Sequence, residues 1–238
     1  KTLPGGTIVP STTAWTKGPI TLTFSGTDAG GSNVDYVLDH VSNKTIGASD
    51  SYVVSSNGTY NFTVFDKAGN SKVVSYAVSN IDLTAPGKPT IDLSTAAWTS
   101  GNVTFTIIPG TDSQSGVAYT QYQIDGGAWT NYTGVVTIST NGKHVINART
   151  TDNVGWTGVT ETKTASIDKV VPTAGISVNT SWTNATSVAA TLTASDADSG
   201  LSNVKYQLSG ATTKAETTAT TGDVITIANE GQTTITLV

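Results

Sequence analysis

Three stretches of this chain are versions of one another. TTAWTKGPITLTFSGTD (12–28), TAAWTSGNVTFTIIPGTD (95–112) and NTSWTNATSVAATLTASD (179–196) align on Trp15, Trp98 and Trp182, spaced by 83 and 84 residues. A second anchor follows in each copy: VDYVLD (34–39), TQYQID (120–125) and VKYQLS (204–209), with Tyr36, Tyr122 and Tyr206 in register. GTYNFTVF (58–65), GKHVINAR (142–149) and GQTTITLV (231–238) form a third. FDKAGN (65–70) and TDNVGW (151–156) come after it in the first two copies, while the third ends at Val238. Self-similarity at a fixed period outranks any local signal, so the organisation is read from it first. The joints are DLTAPGKPTI (82–91) and DKVVPTAGI (168–176), in which Pro fixes φ and extends the residue before it. They divide the chain into units 1–82, 83–168 and 169–238.

Within each unit apolar residues alternate with Thr or other polar residues, the period of a strand with one buried face. Ile20, Leu22 and Phe24 do so in the first copy, followed by Tyr36 and Leu38, then Tyr60, Phe62 and Val64. The second copy repeats this with Val103, Phe105 and Ile107, Tyr122 and Ile124, and His144, Ile146 and Ala148. In the third they are Val188, Ala190 and Leu192, Tyr206 and Leu208, and Thr233, Ile235 and Leu237. In the second copy strands are expected near 88–94, 102–108, 117–125, 127–132, 134–139, 142–150 and 157–167, with a tight turn at Asp125-Gly126-Gly127. Seven short strands in under about 100 residues is the pattern of an immunoglobulin-like sandwich. The expected fold is all-β: three tandem immunoglobulin-like β-sandwiches, the third lacking its last strand. That leaves its sixth strand as an open edge, which suits strand donation by another chain.

Composition fits. Thr occurs 45 times and favours strands, while charged residues are only 12 % of the chain. The balance is 12 basic against 17 acidic residues, net −5, and Arg149 is the single arginine. A nucleic-acid binder needs a basic face, which this balance does not supply. No apolar run approaches the ~18 residues of a membrane span. With no Cys there is neither a disulfide frame nor a thiolate metal site. Met is also absent and the sequence opens at Lys1, which reads as a piece of a longer, processed protein.

The second copy's WTSGNVTFTI, TDSQSGVAYTQYQIDGGAWTNYTG and NGKHVINARTTDNVG, with the DLTAP joint, resemble the bacterial immunoglobulin-like repeats of large cell-surface and secreted proteins. The first copy departs from that pattern at LDHVSNKTIG (38–47), the third at LSGATTKAE (208–216), and the second at Trp156, where the first keeps Asn70. The resemblance implies an extracellular, non-enzymatic stalk or adhesin segment, holding a distal region away from the envelope between neighbouring domains of a longer chain. An adhesin or carbohydrate-binding module is the alternative, with a glycan or a host or matrix protein as partner, and a strand-donating polymer subunit is a third reading.

Little in the sequence suggests catalysis. His40 and His144 belong to different copies, and neither a GxSxG elbow nor HExxH is present. Calcium is the one cofactor suggested. The second and sixth strands of such a sandwich end at one pole, beside the incoming joint. That gathers Asp28 and Asp66 in the first copy, Asp82, Asp112 and Asp152 in the second, and Asp168, Asp196 and Asp198 in the third. Ca²⁺ takes six to eight such oxygens. The competing reading is that these aspartates cap turns with their own side chains. Among aromatics, Trp15, Trp98 and Trp182 recur and are expected to pack so as to close one end of each core. Trp129, Tyr132 and Trp156 occur only in the second copy and form the candidate ligand patch.

Overall fold

A computed structural model describes residues 2–178 and 185–238, so Trp182 lies outside the described residues. Among these residues every regular element is a β-strand. The first copy has β1 (Gly5–Pro10), β2 (Ile20–Thr27), β3 (Val34–Asp39), β4 (Lys44–Ile46), β5 (Ser49–Val54), β6 (Gly58–Asp66) and β7 (Ser71–Val78). The second has β8 (Thr90–Leu93), β9 (Val103–Ile108), β10 (Val117–Ile124), β11 (Thr130–Asn131), β12 (Val136–Ile138), β13 (Gly142–Asp152) and β14 (Glu161–Ile167). In the third are β15 (Thr173–Val178), β16 (Val188–Ser195), β17 (Val204–Gly210), β18 (Lys214–Ala219), β19 (Val224–Ile227) and β20 (Thr233–Leu237).

One strand order recurs three times. The first, second and fifth strands form one sheet: β1-β2-β5, β8-β9-β12 and β15-β16-β19. The fourth, third, sixth and seventh form the other: β4-β3-β6-β7 and β11-β10-β13-β14, with β18-β17-β20 in the third copy. This is the order of an immunoglobulin-like sandwich, and β20 is an outer strand of its sheet. The chain packs into two compact units, one of Lys1–Ile91, Ile107–Gly134 and Asn147–Thr162, the other of Asp92–Thr106, Val135–Ile146 and Lys163–Val238.

The alternation buries most of the residues expected to face inward, while Tyr60, Tyr122, Ile124, Val188, Thr233, Ile235 and Leu237 are only half-buried. Ile20 and Leu22 pack with Val54, Val78 and Ile81, and Phe24 with Val37, Phe62 and Val64. Rings of Phe24 and Phe62 stack at 5.1 Å. In the third copy Ala190, Leu192 and Ile225 of one sheet pack on Val204, Tyr206 and Leu208 of the other. The Asp125-Gly126 turn forms with both residues at positive φ, 52° and 72°, the type I′ geometry, and Gly127 N donates to Ile124 O at 2.9 Å.

Strand β3 departs from expectation. Its buried residues are Val37 and Asp39, not Tyr36 and Leu38. The register slips between Val34 and Tyr36, where β3 pairs β6, and one extra residue exchanges the two faces. Tyr36 instead stacks on Phe65 at 4.5 Å. Trp15 also differs: it is 40 % exposed, so it flanks its core rather than closing it. Its neighbour Thr16 forms a parallel bridge to Ile81, and Thr99, after Trp98, forms the same bridge to Ile167. These bridges clasp the chain just before each joint.

Candidate metal centre

Each joint aspartate is held from two directions. Asp82 N donates to Thr16 O at 2.9 Å, and Asp168 N to Thr99 O at 2.9 Å, so each backbone is fixed by the preceding copy. Each side chain accepts from the following copy: Ser115 N donates to Asp82 Oδ2 at 3.1 Å, and Ser199 N to Asp168 Oδ2 at 3.0 Å. Thr84 N and Val170 N satisfy the other oxygens.

Short turns built for carboxylates surround them. Asp112 Oδ1 accepts from Gln114 N at 3.0 Å and Gly116 N at 2.7 Å. Asp196 Oδ1 accepts from Asp198 N and Gly200 N in the same way. Asp152 Oδ1 accepts from Val154 N at 3.0 Å and Trp156 N at 2.8 Å. That turn closes because Gly155 takes φ +87°, which a side-chain-bearing residue resists. In the first copy Asp28 accepts from Gly30 N and Ser32 Oγ, and Asp66 from Ala68 N and Asn70. Turn capping therefore describes all of the candidate aspartates but Asp198, whose partner is Asn141 Nδ2.

Capping does not account for the second copy fully. One carboxylate oxygen from each of Asp82, Asp112 and Asp152 lies within 4.8 Å of the others. Asp82 and Asp152 are 0 % and 2 % exposed, and Asp152 Oδ2 is buried with no hydrogen-bond partner. Burial pushes the Asp82 carboxyl up, but hydrogen bonds from Ser115 and Thr84 outweigh it and hold it below the ordinary carboxylate range. Asp82 is therefore an anion at neutral pH. Two unit charges about 5 Å apart repel by roughly 3 kcal/mol at an effective dielectric of about 20. Three converging carboxylates, one of them with a buried oxygen that lacks a hydrogen-bond partner, suit a hard cation such as Ca²⁺. No other group of three such ligands converges among the described residues.

The aromatic candidates meet different partners. Trp129 lies under Arg149, whose guanidinium is 4.0 Å from the ring and is held by Gln121 Oε1. Tyr132 N bonds Thr120 O beside it. Trp156 belongs to the metal-candidate pole: its Nε1 donates to Asp82 O at 3.0 Å, and Lys17 Nζ lies 4.3 Å from its ring. His40 bonds Thr63 Oγ1, and His144 bonds Thr140. Two polar features lay outside the sequence reading. Asn57 brackets Ile81, donating to its carbonyl at 2.8 Å and accepting from its N–H at 2.9 Å. Asp39 is fully buried. Only the Asn-Gly pair at 57–58 and the strand-end position of Asp39 hint at them.

No family model matches the chain, and no curated protein does. Solved structures do. Fibronectin(III)-like modules of Clostridium thermocellum CbhA are similar at 14 % identity and a TM-score of 0.28, over 68 % of this chain and 95 % of that one. A 1.5-MDa bacterial ice-binding adhesin is similar at 18 % and 0.40, over 89 % and 80 %. A tetra-tandem repeat in the extending region of a large adhesion protein is similar at 17 % and 0.33, over 96 % and 66 %.

Proposed function

We propose that this chain is a non-enzymatic spacer segment of an extracellular bacterial surface protein, with Ca²⁺ held by Asp82, Asp112 and Asp152 stiffening the joint after the first copy. The observation that carries the reading is the doubly held joint aspartate. A flexible tether leaves its backbone free. Here both joints put one residue under hydrogen bonds from the copies before and after it. Calcium would neutralise the like charges gathered there and supply the partner that Asp152 Oδ2 lacks. Asp82, Asp112 and Asp152 would hold it.

Stability in calcium against excess chelator tests this. A cation bound only by the folded chain raises the melting temperature by mass action. Asp112→Asn keeps an acceptor for Gln114 and Gly116 but removes a charge, so the calcium gain should fall sharply. Equal melts of the parent chain in calcium and chelator would remove the reading. A second reading, recognition of a glycan or matrix protein, rests on the Trp129–Arg149–Gln121 ledge with Tyr132 nearby, and retention of binding by Trp129→Ala would dismiss it.

A further inference from the structure

The turn that positions Asp152 also exists in the first copy, and the residue that closes it differs: Asn70 there, Trp156 here. Asp66 N donates to Asn70 O at 2.9 Å, and Asp152 N to Trp156 O at 3.0 Å. Gly69 N donates to Asp66 O at 3.0 Å, and Gly155 N to Asp152 O at 3.1 Å. The backbone N–H of Asn70 reaches Asp66 Oδ1 at 2.7 Å, and that of Trp156 reaches Asp152 Oδ1 at 2.8 Å. What differs is the second oxygen. Asn70 Nδ2 donates to Asp66 Oδ2 at 2.7 Å. Trp156 has no such donor, and its indole N–H turns to Asp82 O instead. Asp152 Oδ2 is left buried and unpartnered, in a carboxylate of which one oxygen lies within 4.8 Å of one each from Asp82 and Asp112.

We propose that the residue closing this turn decides which copy takes a cation: Asn70 donates its own amide to the carboxylate and replaces the ion, whereas Trp156 withholds that donor and leaves the place to Ca²⁺. The proposal rests on the calcium reading above and adds its selectivity. In the first copy both oxygens of Asp28 and both of Asp66 have protein donors, and the preceding stretch Lys1–Pro10 carries no acid. At the later joint Asn141 Nδ2 again supplies an amide to a carboxylate, Asp198. Trp156 thus does two things: it opens Asp152 to a cation, and it fixes the Asp82 carbonyl beside it.

The test is thermal melting of the full chain, metal-stripped and then in CaCl₂ at about a hundred times its Kd. The parent chain should gain roughly 5–10 °C. Trp156→Asn restores the amide donor. It should cut that gain to below about 1 °C, and in chelator it should melt above the parent chain. Merely damaging the fold would not produce that second result. Trp156→Phe has no amide and should keep the gain. A Trp156→Asn chain that keeps the full gain overturns the proposal while leaving the calcium site standing. A parent chain with no gain overturns the site itself. Should Trp156→Asn fail to fold, Asn70→Ala decides. It should melt lower than the parent in chelator and gain more from calcium than the parent does, and a gain no larger than the parent's overturns the proposal.

Discussion

Asp39 shows how one residue can carry what periodicity misses. Burial pushes its carboxyl up, but hydrogen bonds from Ser42, Tyr52 and the Val41 and Ser42 backbone hold it below the ordinary value. Burial and the Asp39 carboxylate push the Tyr52 phenol up to about 12. For Asp66 burial again pushes upward, and the Asn70 and Ala68 donors, with Ser32, outweigh it. A carboxylate lowered by folding stabilises above its unfolded pKa near 3.9, and that contribution is lost as pH falls through the folded value. A raised phenol stabilises below about 10 and loses its contribution as pH climbs towards 12. The melting temperature should therefore be flat from about pH 5 to 9 and fall on both sides. A Tyr52→Phe chain should lose the alkaline fall, checked by calorimetry across pH. Gly110 makes a steric prediction. A Cβ there would lie 1.7 Å from Gly87 O, where the joint's backbone crosses the strand end. Gly110→Ala should cost roughly 1–3 kcal/mol, read by denaturant unfolding. Neither effect was legible in the sequence. Asp39 faces inward only because β3 slips register, and Gly110 reads as an ordinary turn glycine until Gly87 is beside it.

The elements themselves were far more legible. All seven strands expected in the second copy are present in order, because Thr alternating with Val, Ile and Phe encodes a half-buried strand directly. Boundaries shifted where polar runs intervene, and β11 is only Thr130–Asn131. The pole that gathers Asp82, Asp112 and Asp152 was also readable, since strand direction alone brings those ends together. Which oxygens remain unsatisfied was not readable, because it depends on where the Trp156 indole points. Asn57 makes a test at this scale. It ties the Ile81 backbone like an extra bridge strand and so fixes the joint that begins at Asp82. Asn57→Ala removes both bonds and should cost about 1–3 kcal/mol. The same change should weaken calcium binding if joint and site are coupled, which calorimetric titration would register.

Across the whole chain, one strand order is used three times and the joint chemistry twice. Few charges and abundant Thr leave the surface without a strong field, and acidic groups concentrate in turns and joints. On the proposal above, selectivity for a cation would come from small exchanges on a repeated frame, Asn70 against Trp156, rather than from new architecture. The direct measurement is calorimetric titration of the metal-stripped chain with CaCl₂ at neutral pH. The expected result is one ion per chain, bound with a Kd no weaker than about 1 mM, the range of extracellular calcium modules, and lost in Asp152→Ala. A flat titration, or binding unchanged by Asp152→Ala, would contradict calcium at Asp82, Asp112 and Asp152.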